Sequence, residues 1–165
     1  AQAELDHSHI THSQIPIKET VDDVLKQLSP VWKSKGLQIV NEIPSTFSLV
    51  SDRDRLSFIL RNLISNAIKF TPSAGVITVF FDSENGNRIG VKDTGMGMSA
   101  ESVDSLFKGR QFSQPGTEGE KGTGVGLLLC REFAQSLGAA LQVESELGSG
   151  STFTLVWEDD AKADT

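Results

Sequence analysis

Apolar residues recur along the chain with two different periods, and the switches between them divide it into elements. Ile17, Val21, Val24, Leu25, Leu28 and Trp32 stand at helical spacing. They predict a helix over 17–35, kinked or broken near Ser29 because Pro30 falls inside it. Gly36 punctuates its end, 37–43 reads as a strand, and a short second strand over about 47–50 follows the turn at Pro44. Asp52 is placed to cap a long helix over about 53–69, which Pro72 and Gly75 stop. Its buried stripe is Leu56, Ile59, Leu60, Leu63, Ile64, Ala67 and Ile68.

Residues 76–81 and 88–92 read as strands joined through Glu84-Asn85-Gly86-Asn87, a hairpin signal built on Asn-Gly. A short helix is expected over 100–107 behind Ser99, and another from about 124 to 137, ending at Gly138. Strands over 141–146 and 151–156 form a closing hairpin around Gly148-Ser149-Gly150. Residues 108–123, rich in glycine and poor in apolar side chains, predict a mobile loop. Helices and antiparallel strand pairs are interspersed without regular βαβ alternation. The expected fold is therefore α+β, a two-layer α/β sandwich whose mixed, mostly antiparallel sheet packs on about three helices.

Composition and charge narrow the picture. A chain of 165 residues, 38% hydrophobic and 22% charged, is the size of one globular domain with a substantial core. Its net charge of −7 argues against a nucleic-acid partner, which calls for a basic face. No apolar run approaches the roughly 18–20 residues that span a bilayer, and the start does not read as a signal peptide. The chain thus reads as a soluble, cytoplasmic domain. The single cysteine, Cys130, lies in an apolar run and reads as a small buried hydrophobe. Residues 1–16 read as a linker or the tail of a preceding hairpin, 17–157 as the domain, and 158–165 as an acidic tail. His7, His9 and His12 lie in that first segment with no Cys or acidic cluster at ligand spacing, so exposed surface or a frayed end is the reading for them.

Three boxes carry the candidate chemistry. In Asn62-Leu63-Ile64-Ser65-Asn66-Ala67-Ile68-Lys69-Phe70-Thr71, Asn62, Asn66 and Lys69 repeat at i, i+4, i+7 and share one helix face. Amide oxygens are hard neutral ligands suited to Mg²⁺, and a lysine one turn on is placed to meet phosphate. On its own, the same spacing also describes a solvated polar face. In Asp93-Thr94-Gly95-Met96-Gly97-Met98, an ionised Asp93 accepts hydrogen bonds and can recognise an exocyclic amine such as that of adenine. Gly95 and Gly97 would let the backbone pass close to a flat ring. A plain Asp-Gly turn without ligand is the other reading. In Gly122-Thr123-Gly124-Val125-Gly126-Leu127, the glycines open a helix whose N–H groups suit phosphate. A dinucleotide fingerprint is disfavoured because no strand precedes these glycines and the third comes one residue early. No P-loop run is present.

Taken together and in this order, the boxes closely resemble the ATP-binding catalytic domain of sensor histidine kinases, a branch of the fold shared with DNA gyrase, the heat-shock chaperone ATPases and the mismatch-repair ATPases. Leu106-Phe107-Lys108-Gly109-Arg110-Gln111-Phe112 resembles the family's phenylalanine box, and Gly148-Ser149-Gly150-Ser151-Thr152-Phe153 its last glycine-containing hairpin. The resemblance runs from about 17 to 157. It implies ATP and Mg²⁺ as ligands, with Asn66 holding the metal, Asn62 assisting, and Lys69 on phosphate. It implies Asp93 as receiver of the adenine amine, Gly95 and Gly97 along the base, and Thr152 reaching the base through water. Residues 108–123 would be an ATP lid anchored by Phe107 and Phe112, unless those rings serve only the core. Gly122, Gly124 and Gly126 would hold phosphates. Lys108 and Arg110 would be solvated loop charges or would meet phosphates or the partner hairpin.

The ATPase cousins carry a glutamate four residues before the metal asparagine, and here that position is Asn62. An amide cannot accept a proton at neutral pH, so it cannot activate water. The letter favours transfer to an acceptor that is already nucleophilic, such as a neutral histidine nitrogen. The family's acceptor histidine is followed at once by an acid and five residues later by proline, a pattern that none of His7, His9 and His12 meets. The chain is therefore expected to be a monomeric piece of a longer kinase. Its phosphoacceptor would lie on a separate dimerisation domain, with a response regulator downstream. The competing readings are a nucleotide-binding regulatory or scaffold domain without transfer activity, an ATPase of the gyrase type and a serine kinase of the anti-sigma type.

Overall fold

The computed structural model describes residues 10–84, 86–107 and 126–157. In chain order the elements are β1 (Ser13–Pro16), α1 (Ile17–Gln27), α2 (Ser29–Ser34), β2 (Gln38–Asn41), β3 (Ser48–Ser51), α3 (Arg53–Phe70), β4 (Val76–Asp82), β5 (Asn87–Asp93), α4 (Ala100–Ser105), α5 (Gly126–Ser136), β6 (Ala139–Glu146) and β7 (Gly150–Trp157). β2-β4-β5-β7-β6 form a five-stranded sheet in which only the β2–β4 pair is parallel. β1 and β3 make a separate antiparallel ribbon. The α+β sandwich with its mostly antiparallel sheet is thus the observed architecture. No helix among the described residues is long and apolar enough to cross a membrane.

α3 is the organising element, in contact with α1, α5 and β5. Its apolar stripe, Leu56, Ile59, Leu60, Leu63, Ile64, Ala67 and Ile68, is wholly buried, as its spacing predicts. It meets Ile77 and Val79 of β4, Ile89 and Val91 of β5, and Phe153 and Leu155 of β7 in one core. The Asp52 side chain caps α3 through the Arg55 N–H at 3.0 Å. α5 is held to α3 by an edge-on contact of Phe58 with Phe133, ring centroids 5.1 Å apart, and by Arg55 Nη1 donating to Ser136 Oγ at 3.2 Å.

The break expected near Ser29 is present: α1 and α2 part at Leu28, with Pro30 in the first turn of α2, where its missing N–H costs nothing. In a few other places the structure departs from the sequence pattern. β1 had no signal: a four-residue strand beside a polar stretch shows no readable alternation. Ile15 is nonetheless fully buried opposite Leu49, and the Thr11 N–H donates to Asp52 Oδ2 at 2.9 Å. The strand over 37–43 shortens to β2, β6 begins two residues earlier than 141, and α4 ends at Ser105.

Candidate nucleotide site

α3 turns its core stripe inward and so presents Asn62, Asn66 and Lys69 on another side, all three half-buried. Asn62 Nδ2 donates to Phe58 O at 3.0 Å, which fixes the orientation of the amide. Its oxygen faces α5: a Cβ built on Gly126 would lie 2.4 Å from Asn62 Oδ1. The asparagine box and the third glycine of the second glycine box are therefore in contact. One turn along α3, the Asn66 amide has no hydrogen-bond partner among the described residues. Lys69 lays its Nζ over the Phe70 ring, 4.9 Å from the centroid.

Asp93 ends β5 and is only 4% exposed. Both of its recorded bonds fall on one oxygen: Oδ1 accepts from Gly95 N at 2.8 Å and from Ser151 N at 3.2 Å. Oδ2 thus remains an acceptor without a partner among the described residues. Burial pushes the carboxyl above its ordinary value of 3.8, partly opposed by those two backbone N–H groups.

The glycines after Asp93 serve the protein's own backbone. A Cβ on Gly95 would stand 2.2 Å from Phe70 O, whose carbonyl also accepts from Met96 N at 3.1 Å. Gly97, at φ +71°, leaves no room either, since its Cβ would lie 2.0 Å from Glu146 O. Gly148 N donates to Met96 O at 2.8 Å and Met98 N to Ser145 Oγ at 2.8 Å. The loop is thereby clamped between the end of α3 and the β6–β7 turn, and the close approaches its two glycines make within the protein are to backbone.

Thr152 is in register with Lys92 and Glu144, which places these three on the sheet face opposite Asp93. The hydroxyl that shares the Asp93 face is that of Ser151, paired directly with Asp93 and with its Oγ 2.7 Å from Ser145 Oγ. Two adjacent hydroxyls look alike in the sequence, and only the strand register decides which of them shares the face of the carboxylate. Phe107 follows α4, half-buried, with the Arg131 guanidinium of α5 at 5.2 Å from its ring centroid. Phe112, Gly122 and Gly124, together with the lid expected over 108–123, lie outside the described residues. Among the described residues no group of three or more His, Cys, Asp or Glu stands together in a way that could hold a metal. Any metal at this site would be held by neutral amide oxygens and by the oxygens of its ligand.

The sequence pattern of the family described as "Histidine kinase-, DNA gyrase B-, and HSP90-like ATPase" matches residues 51–161. The adaptive-response sensory kinase SasA of Synechococcus elongatus is 34% identical over 148 residues, covering 87% of this chain and 38% of the relative. The histidine protein kinase DivJ of Caulobacter vibrioides is 37% identical over 142 residues, covering 84% of this chain and 24% of the relative. The crystal structure of full-length ShkA in complex with AMPPNP superposes with a TM-score of 0.73 at 27% identity, over 89% of this chain and 31% of that one. The chain thus spans well under half the length of these relatives. On the matching pattern, the shared fold and these relatives, the chain belongs to the histidine kinase-, DNA gyrase B- and HSP90-like ATPase family, as an ATP-binding catalytic domain of the sensor histidine kinase type.

Proposed function

We propose that this domain binds Mg·ATP between α3, the Asp93–Met98 loop and the start of α5, and passes the γ-phosphoryl to a histidine on a separate dimerisation domain. The observation that carries the reading is the state of Asn62. Its nitrogen is committed to Phe58 O and its oxygen faces Gly126. No proton acceptor stands at this position to activate water, whereas a neutral imidazole nitrogen needs none. Attack by that nitrogen forms the N–P bond as the bond to ADP breaks, and a response regulator would then take the phosphoryl group from the histidine.

The residues present fit the ligands. Asp93 Oδ2 is an acceptor that the loop's own bonds leave open, on a residue otherwise almost wholly buried, and suits the adenine amine, with Ser151 beside it. Asn66 and Asn62 offer amide oxygens to Mg²⁺, and Lys69 offers charge to phosphate. Bound Mg²⁺ supplies charge neutralisation on the phosphate oxygens. The glycine contacts of the Asp93–Met98 loop hold the adenine side rigid against α3 and the β6–β7 turn, which is the preorganisation that transfer by positioning requires. Gly122 and Gly124 would complete the phosphate side, Phe107 and Phe112 would anchor the lid, and Gly126 sets the spacing between α5 and Asn62.

The test is incubation with γ-labelled ATP, Mg²⁺ and a histidine-bearing dimerisation hairpin of a related kinase. Acid-labile, alkali-stable label on the hairpin, lost in Asn66→Ala, is the expected result. Release of inorganic phosphate without labelled hairpin would assign an ATPase instead, and nucleotide binding with neither product would assign a regulatory domain.

A further inference from the structure

Every α-helix leaves its last four carbonyls without an internal partner. At the end of α3 each of the four finds one from outside the helix ladder. Ala67 O accepts from Thr71 Oγ1 at 2.6 Å, Ile68 O and Lys69 O accept from Lys35 Nζ at 2.7 and 3.1 Å, and Phe70 O accepts from Met96 N at 3.1 Å. Lys35 is the C-cap residue of α2 and only 5% exposed. A lysine buried to this degree needs strong acceptors, and it finds them at the negative end of the α3 dipole.

We propose that Lys35 is a positioning residue of the nucleotide site, acting through Lys69. Its grip on the carbonyls of Ile68 and Lys69 fixes the peptides on either side of the Lys69 Cα, and so fixes where that side chain leaves the helix. The same turn carries Phe70, against which Gly95 and Met96 are seated. Lys35 itself follows α2, and it reaches the site through the α3 carbonyls it holds. A group that lets the last turn of α3 fray would leave Lys69 present but displaced, and displacements of about 1 Å are costly in transfer by positioning. The inference rests on the nucleotide reading given above.

The experiment is calorimetric titration of the chain with Mg²⁺ and a non-hydrolysable ATP analogue, well below each variant's unfolding midpoint. It compares the parent, Lys35→Met, Lys35→Arg, Lys69→Ala and the double variant Lys35→Met/Lys69→Ala. Lys35→Met is expected to weaken binding about tenfold, as for residues coupled through direct contact. Lys35→Arg, which keeps donors and charge, should restore most of it. Once Lys69 is alanine, Lys35→Met should add little. A folded Lys35→Met with parental affinity, or losses that simply add in the double variant, would overturn the proposal and leave Lys35 a purely structural cap. If Lys35→Met does not fold, Lys35→Gln replaces it with the same two criteria. Failure of the parent itself to bind is a different outcome, which overturns the nucleotide reading and this inference with it.

Discussion

Gly126, the first residue of α5, stands so close to the Asn62 side chain that any Cβ there would come within 2.4 Å of Asn62 Oδ1. Two boxes far apart in sequence thus meet at one contact, and the glycine is required by a neighbouring side chain rather than by backbone conformation. Rotating the Asn62 amide out of the way gives up its bond to Phe58 O.

Gly126→Ala follows directly. Because the obstacle is a side chain, the fold should lose only about 1 kcal/mol, the worth of one hydrogen bond. Affinity for Mg²⁺ with an ATP analogue should fall several-fold, since the displaced amide is the one assigned to assist the metal. Thermal unfolding and titration of the same sample check both halves, and an unchanged affinity would detach Asn62 from the site.

Asp93→Asn separates stability from binding. Burial raises the Asp93 carboxyl above 3.8, so its folded value exceeds its unfolded one. The associated stabilisation is complete below 3.8, and is lost as pH rises through the folded value. At neutral pH the asparagine variant, which carries no buried charge, should therefore be as stable as the parent or more so. Its advantage should shrink on acidification. Its affinity for nucleotide should fall by about 1.5–3 kcal/mol, the range for a hydrogen bond to a charged group. Parental binding should itself weaken on acidification, beginning above 3.8. Unfolding midpoints and titrations from pH 4 to 8 provide the check.

Two left-handed glycines should respond unequally to alanine. Gly97 (φ +71°) meets the Glu146 backbone, with a Cβ that would lie 2.0 Å from its carbonyl oxygen. Gly148 (φ +85°) has open space around it. Gly148→Ala should cost about 1 kcal/mol, the conformational penalty alone. Gly97→Ala adds a clash that backbone cannot relieve and should cost about 3 kcal/mol or more. Denaturant midpoints of the two variants test the difference.

Cys130 is fully buried, and burial pushes its thiol up to about 12. It should resist alkylation at pH 8 in the folded protein and react at once in guanidinium chloride. Native-state labelling followed by mass measurement reads this directly.

Much of the fold was legible in the residues because the signals were local. The α3 stripe, the caps at Asp52 and Ser99 and the Asn-Gly hairpin each lie within a few residues of the element they specify. β1 was not, because its burial comes from pairing with β3 across the sequence. In the site, residue identities could be read but their partners could not. Ser151 rather than Thr152 faces Asp93 because of a register, and Gly95 and Gly97 are required by Phe70 and Glu146. Lys35 carries no motif at all; only its long reach to Ile68 and Lys69 reveals it.

Whether the domain holds a working Mg·ATP site is decided by calorimetric titration of the parent and Asp93→Asn with Mg²⁺ plus a non-hydrolysable ATP analogue. The parent should show saturable, Mg²⁺-dependent binding and the variant severely weakened binding. No binding by the parent, or equal binding by both proteins, would contradict such a site.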